Sequence, residues 1–282
     1  MVSRVDLHIH STASDGRLTP ADIVREAAER GLTFIALADH DTVDGIASAQ
    51  AAAQAFPGLK VIPCVEISTD IPQGEVHALG YFIDYTDPEL GATLDRFRNS
   101  RLRRAQGMVA KLDDLGIHIN WQRVQQIASG SSIGRPHIAQ AMLEKGYIDS
   151  IKQAFTEYLS RDRPAYVERE KMTPAESVEL IVKAQGLPVL AHPLTFNDPE
   201  AITIELKAAG LVGIEAYYDG YTPEEINRLV GLADRHNLIA TGGSDYHGLD
   251  PTETAIGGTD LPIESVERLI ALAKQRNPNL KL

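Results

Sequence analysis

Val5-Asp6-Leu7-His8-Ile9-His10-Ser11-Thr12-Ala13-Ser14-Asp15 is a short apolar run that carries two histidines and then breaks into a small polar loop with an aspartate. In a strand, residues two apart point to the same side, so His8 and His10 can converge on one object. Imidazoles on one strand face, with a carboxylate a few residues on, suit a divalent cation. A strand with two solvent-facing histidines would read the same way. The rest of the chain has to separate these readings.

Outward from this stretch, Thr19-Pro20-Ala21-Asp22 starts a helix, with threonine as the cap, proline in the first turn and an aspartate favoured by the dipole. Gly31 ends it, and Phe34-Ile35-Ala36-Leu37-Ala38 reads as a buried strand leading into Asp39-His40-Asp41. A helix over 44–56, a strand over 61–67, a turn at Pro72-Gln73-Gly74 and a strand over 75–82 follow. The alternation resumes with helices begun by Thr173-Pro174, Asp198-Pro199 and Thr222-Pro223, and strands over 188–192, 212–216 and 238–241. A last amphipathic helix covers 262–275. Short buried strands alternating with capped helices predict an α/β fold with mainly parallel strands, seven in number. Polar residues gather just after the strand ends, where active sites of parallel α/β barrels sit. His77 lies early in its strand, as an antiparallel strand would place it.

From about 87 to 166 the pattern changes to helices, over 88–115, 121–128, 136–145 and 151–159, with no strand. This predicts an inserted all-helical subdomain, 89–164, within a domain formed by 1–88 and 165–282. Leu94, Phe97, Arg101, Ala105, Met108, Leu112 and Leu115 fall at helical steps, which puts Arg101 on an apolar stripe. Arg104, one turn on, either joins that face or snorkels to solvent.

A hydrophobic fraction of 43% allows a sizeable core, and no stretch approaches the run of about 20 apolar residues that spans a bilayer. Residues 1–4 run into the first strand without the apolar centre of a signal peptide. The lone Cys64 has no internal disulfide partner and reads as a small buried hydrophobe. A soluble cytoplasmic protein is the expectation. The net charge of −12 disfavours a surface that tracks long nucleic acid. It leaves room for a small anionic substrate, because bound cations can invert the local field.

His8, His10, His40, His77, His192 and His247 each lie at or beside a strand; Asp15, Glu66 and Asp245 join them. Histidine and carboxylate donors without thiolate suit Mn²⁺, Zn²⁺ or Fe²⁺, whereas pure Mg²⁺ sites prefer oxygen. The set exceeds the needs of one ion, so several cations sharing a carboxylate is the natural reading. Asp39, Asp41 and Glu215 either orient such ligands or cap helices and strand ends.

The motifs Asp6-Leu7-His8-Ile9-His10-Ser11, Asp15, Ala38-Asp39-His40-Asp41-Thr42, Glu66, His77, Ala191-His192-Pro193 and Ser244-Asp245-Tyr246-His247 together resemble the PHP (polymerase and histidinol phosphatase) family. Within it, the chain is similar to the branch with a helical insertion after the fourth strand, that of 3′,5′-nucleoside bisphosphate phosphatases and enzymes that trim RNA from its 5′ end. Older usage groups such chains as amidohydrolase-like. The resemblance implies a distorted seven-stranded β/α barrel. It implies two or three divalent ions, Mn²⁺ foremost, with Zn²⁺, Fe²⁺ or Mg²⁺ as alternatives. One would take His8, His10, Glu66 and Asp245; a second would share Glu66 and add His77 and His192; a third would take Asp15, His40 and His247.

The implied activity is hydrolysis of the 3′-phosphate of nucleoside 3′,5′-bisphosphates to the 5′-monophosphate, by attack of a metal-bridging hydroxide. Asp15, His40 and His247 are the candidate catalytic residues, with His40 or His247 passing a proton to the leaving alcohol. In the insertion, Ser131-Ser132-Ile133-Gly134-Arg135-Pro136-His137 gathers backbone N–H groups, an arginine and a histidine at a helix start, a ready anion site. Similar arginines of that branch contact substrate phosphates. Ser100, Arg101, Arg104, Gly134, Arg135, Pro136 and His137 are therefore the candidate substrate contacts, although His137 also fits a routine first-turn residue. The alternatives are a 5′→3′ exonuclease on short 5′-phosphorylated RNA or DNA, a histidinol phosphatase, and a non-catalytic metal-binding module. Nucleotides or short oligonucleotides, and neither a membrane nor long nucleic acid, are the expected partners.

Overall fold

A computed structural model describes residues 5–71, 74–128, 133–168, 170, 172–249 and 252–280. The chain divides into two compact units, Met1–Thr93 with Met172–Leu282 and, between them, Leu94–Lys171. Among the described residues, no helix is long and apolar enough to cross a membrane.

The first unit is mixed α/β. Its strands are β1 (Val5–Ile9), β2 (Phe34–Leu37), β3 (Lys60–Pro63), β4 (Glu66–Ile71), β5 (Gly74–Tyr81), β6 (Leu187–Leu190), β7 (Gly213–Tyr218) and β8 (Ile239–Gly243). They form a three-stranded sheet, β1-β2-β3, and a five-stranded sheet, β4-β5-β6-β7-β8. The first is parallel throughout. In the second, β5 runs antiparallel to both β4 and β6, and β6, β7 and β8 are parallel. The reversed direction of β5 accounts for the early position of His77.

Eight strands replace the expected seven because the stretch expected over 61–67 is two elements. Pro63 has no N–H to extend the ladder. Across Cys64 and Val65 the chain leaves its parallel pairing with β2 for antiparallel pairing with β5. Isolated parallel bridges join Ile9 of β1 to Tyr246, in the loop after β8, and His40, in the loop after β2, to Glu66 of β4.

The helix starts follow from the threonine and aspartate caps. Thr19 Oγ1 accepts from the N–H of Asp22 at 3.2 Å, Asp198 Oδ1 accepts from Ala201 at 3.1 Å, and Thr173 and Thr222 form reciprocal boxes with Glu176 and Glu225. The helix Pro20–Glu29 buries Ile23, Val24 and Ala27 in one cluster with Ile9, Ile35 and Leu37. Each isoleucine, leucine or valine among these contributes roughly 1.5–3 kcal/mol by leaving water. Strand residues Leu7, Ala36, Ile62, Leu79 and Val189 pack in a second cluster with Val266 and Leu269 of the last helix, Ile263–Arg276. This rigid framework sets where the polar strand ends lie.

The second unit is helical over its described residues, with Trp121–Ala128, Arg135–Glu144 and Ile151–Ala154 following the helix Pro88–Asp114 that enters it; a π-helical turn, Phe155–Leu159, comes next. Ala105, Met108, Leu112, Val124, Ile138 and Met142 belong to its own core. The expected stripe is corrected at two points. Leu115 is 49% exposed, because the helix ends before it. Arg104 is the buried arginine at 5% exposure, and Arg101 is half-buried. The buried face drifts through Ser100 and Arg104 between Phe97 and Met108.

Candidate metal centre

The ends of β1, β2, β4 and β6, the loop after β8 and one position in β5 bring the predicted ligands together in the first unit. His8 and His10 share the face of β1 set by the two-residue period, and both are fully buried. His8 Nε2 lies 3.2 Å from Asp245 Oδ1 and 3.4 Å from Glu66 Oε2. His10 Nε2 lies 2.9 Å and 3.3 Å from the same two oxygens. Glu66 Oε1 meets His77 Nδ1 at 2.9 Å and His192 Nε2 at 3.0 Å, while Oε2 stands 2.9 Å from His40 Nδ1. Asp15 Oδ1 lies 3.4 Å from His247 Nε2, and Asp15 Oδ2 lies 3.9 Å from His40 Nε2.

Three sets have donor atoms within 4.8 Å of one another: His8, His10, Glu66 and Asp245; His40, Glu66 and His77; and His10, Asp15, His40 and His247. The first has the membership expected for the first ion. The second has His40 in the place expected for His192, and the third adds His10 to the expected Asp15, His40 and His247.

The fit to cations can be tested on hydrogen bonding. Among the described residues, the buried side-chain nitrogens and oxygens without a hydrogen-bond partner are His8 Nε2, both ring nitrogens of His10, Glu66 Oε2, His77 Nε2 and Asp245 Oδ1. All belong to this cluster. Such atoms cost about 1–3 kcal/mol each when left unsatisfied, so the protein holds them for something else. Donors about 2.1 Å from one ion stand about 3–3.4 Å apart, which is the spacing of His8 and His10 from Glu66 and Asp245. The residues fit divalent cations.

Burial alone would raise the Glu66 carboxyl, but the imidazoles of His40, His77 and His8 hold it well below its ordinary value. Asp15 and Asp245 are likewise held low against burial, Asp15 first by His40 and Asp245 first by His8. Burial would lower His8, His192 and His247. Carboxylates overcome it in each, Asp245 foremost at His8, Glu66 at His192 and Asp15 at His247, which is pushed up to about 9. Burial prevails at His10 and His77, which are lowered. Without cations the site is thus a set of ionised carboxylates sharing protons with some of the imidazoles.

A second ring of acids is hydrogen-bonded to the segments that carry these side chains. Asp39 Oδ1 accepts from Ser11 N–H at 2.7 Å and Ser14 Oγ at 2.7 Å, and its Oδ2 accepts from Ser11 Oγ at 2.8 Å. It thereby holds the loop that carries Asp15. Asp41, at φ 52°, accepts from Ser68 N–H at 2.8 Å and ties the His40 segment to β4. Glu215 contacts His8 and the backbone of His192. Of the two roles left open for these acids, each makes its bonds to ligand-bearing segments. His192 (φ 25°) and Asp245 (φ 51°) also have positive φ, at a cost of order 1–3 kcal/mol each that surrounding structure must hold.

Three further residues, to which no role was given above, bond to the segments that carry these side chains. Asp6 accepts from Ser244 N–H and Oγ at 2.9 and 2.7 Å and from Gly257 N–H at 2.7 Å, so β1 fixes the loop bearing Asp245. Its signal was a buried-strand acid in register with His8 and His10. Glu253 accepts from the N–H groups of His247 and Gly248, each at 2.6 Å. Tyr218 donates its hydroxyl to Asp245 Oδ2 at 2.8 Å.

The candidate substrate contacts lie in the second unit. Ser100 Oγ accepts from Glu170 N–H at 2.9 Å. The Arg135 guanidinium sits over the Phe155 ring, 5.7 Å from its centroid. His137 Nδ1 accepts from Gly134 N–H at 3.0 Å, the cap-like role its first-turn position allowed. Ser131 and Ser132 lie outside the described residues.

Residues 6–172 match the PHP domain family, and the chain belongs to it. Over 267 residues the chain is 34% identical to a 3′,5′-nucleoside bisphosphate phosphatase of Chromobacterium violaceum, covering 93% of each chain. It is also 34% identical to a 5′-3′ exoribonuclease of Haemophilus influenzae, over 88% of this chain and 91% of that one. A solved structure from Bifidobacterium adolescentis, assigned as a metal-dependent phosphoesterase, superposes with a TM-score of 0.81 at 30% identity, covering 95% of both chains.

Proposed function

We propose that this chain is a metal-dependent phosphatase that removes the 3′-phosphate of nucleoside 3′,5′-bisphosphates and leaves the 5′-monophosphate. The convergence of partnerless buried donors on His8, His10, Glu66, His77 and Asp245 carries the metal chemistry. The likeness to the C. violaceum phosphatase supports the substrate. His8, His10, Asp15, His40, Glu66, His77, His192, Asp245 and His247 are the ligands in this reading, for two or three ions, with Mn²⁺ preferred. Bound divalent cations would neutralise phosphoryl oxygens and lower the pKa of a water from about 15.7 towards 7.

The residues themselves orient and divide the site. Glu66 serves histidines with both oxygens and so sets the spacing between the sets. Asp15, His40 and His247 have side chains 32%, 15% and 21% exposed, against 0% for His8 and His10. The ester would enter from their side, with His40 or His247 passing a proton to the leaving 3′-alcohol. The inserted subdomain would supply the hold on the 5′-phosphate, through Arg101, Arg104 and Arg135 with Ser100 and the helix start at Gly134, Pro136 and His137. The two sheets would form one distorted seven-stranded β/α barrel in which β3 and β4 count as a single bent strand; the bridges at Ile9 and His40 support this. A cytoplasmic setting suits nucleotide substrates.

Steady-state kinetics of Arg101→Ala and Arg135→Ala test the reading. Loss of a charged hydrogen bond should lower kcat/KM for a 3′,5′-bisphosphate by about 10-fold or more, with little change for p-nitrophenyl phosphate. Equal losses on both substrates would sink the specificity claim. The exoribonuclease relative favours a second reading, 5′→3′ hydrolysis of short 5′-phosphorylated oligonucleotides at the same centre. Preference for such strands over the bisphosphate would make it the principal one.

A further inference from the structure

Strand β7 contributes none of the assigned ligands, yet its end touches three residues that carry them. Glu215 is fully buried. Its Oε1 lies 3.0 Å from His8 Nδ1, and its Oε2 accepts the backbone N–H of His192 at 2.8 Å. Three residues on, the Tyr218 hydroxyl donates to Asp245 Oδ2 at 2.8 Å. In a regular strand, residues three apart face opposite ways, so both side chains could not reach one site.

The register of β7 resolves this. Glu215 pairs with Thr241, Tyr217 with Gly242 and Tyr218 with Gly243, so one extra residue is accommodated between Glu215 and Tyr217. Such a bulge reverses the alternation beyond it. Glu215 and Tyr218 then stand opposite Thr241 and Gly243, residues two apart on β8 and on the same face. Gly242 is what admits the bulge, because a Cβ there would collide with the carbonyl oxygen of Tyr217.

We propose that this bulge makes Glu215 and Tyr218 positioning residues of the metal centre, each fixing which atom of a ligand faces the cation. A carboxylate only accepts, so Glu215 keeps the ring proton of neutral His8 on Nδ1 and turns Nε2 to the cluster. It also anchors the His192 backbone in its unusual conformation, φ 25° and ψ 61°. Tyr218 occupies Asp245 Oδ2, leaving Oδ1 buried, without a hydrogen-bond partner and 2.9 Å from His10 Nε2. This inference rests on the metal reading of the cluster, and not on the identity of the substrate.

The test is Mn²⁺ binding to the full chain without substrate, read by the electron paramagnetic resonance of free Mn²⁺. Tyr218→Phe removes one hydroxyl and should weaken Mn²⁺ binding by about 10-fold or more, as partners of metal ligands do. Glu215→Gln should do at least as much. Tyr217→Phe, on the residue whose carbonyl fills the space at Gly242, should bind as the parent does. Metal-free Tyr218→Phe should keep the parent's cooperative urea transition, with a midpoint lowered only by the one lost hydrogen bond, whereas a packing defect would broaden or abolish the transition. In an Asp245→Ala background, where the hydroxyl has no carboxylate to aim, Tyr218→Phe should have no further effect. Parent-like Mn²⁺ affinity in Tyr218→Phe overturns the inference, whether or not Glu215→Gln folds. Absence of Mn²⁺ binding by the parent chain overturns the metal reading as well.

Discussion

Glu66 offers both carboxylate oxygens to imidazoles, and the titration of those imidazoles governs how a cation enters. His8, His192 and His247 all stand above the ordinary imidazole value; burial opposes this and the neighbouring carboxylates overcome it. With His247 pushed up to about 9, the metal-free site carries protons at neutral pH that a cation must expel. The sign follows: Mn²⁺ affinity should rise with pH through neutrality and level off above about pH 9. Binding isotherms in buffers of different ionisation heat should show proton release at neutral pH. An affinity unchanged from about pH 6 to 9 would contradict the protonated site. At this scale, the histidines and carboxylates that the structure brings together could be read from sequence because histidines beside strands are a local pattern. Tyr218 could not, because its direction depends on a bulge that only strand pairing creates.

Helix starts are the elements most fully written in the local sequence. At Thr222 the backbone N–H donates to Glu225 Oε2 at 2.8 Å, and Thr222 Oγ1 accepts the N–H of Glu225 at 3.3 Å. Thr222→Ala should therefore cost about 1 kcal/mol in urea unfolding while leaving Mn²⁺ affinity unchanged; an unaltered midpoint would mean that Pro223 alone fixes the helix start. Strands were legible as apolar runs, but their partners were not. Residues 61–67 look continuous because the run is apolar up to Glu66; Pro63 is the one local signal against it, and the exchange of β2 for β5 as partner divides the run. Helical spacing likewise set Arg101 on the apolar stripe, where the packed helix buries Arg104. A stripe read at fixed steps cannot register a buried face that drifts along 27 residues of helix.

At the scale of the whole molecule, the cations would do what hydrogen bonds do elsewhere in the core. Among the described residues, the buried atoms without a hydrogen-bond partner lie in the unit formed by Met1–Thr93 and Met172–Leu282, so metal removal should act on that unit and spare the other. A cation held at about 100 times its Kd stabilises the native state by about 2.7 kcal/mol, which for a chain of this length moves Tm by roughly 5–10 °C. Chelation should lower Tm by that order, and added Mn²⁺ should restore it. Hydrogen exchange gives the sharper check, since local opening reports where stability is lost. After chelation the amides of Ser11, Gly16, Ser244 and Asp245, which bond within or between the ligand-bearing loops, should lose protection. Those of the helix Arg135–Glu144 should keep theirs, because that unit has its own core. Uniform loss through both units would show that the cations hold the chain together as a whole. An unchanged Tm with unchanged exchange would show that the buried donors are satisfied without them, and the metal reading would fall.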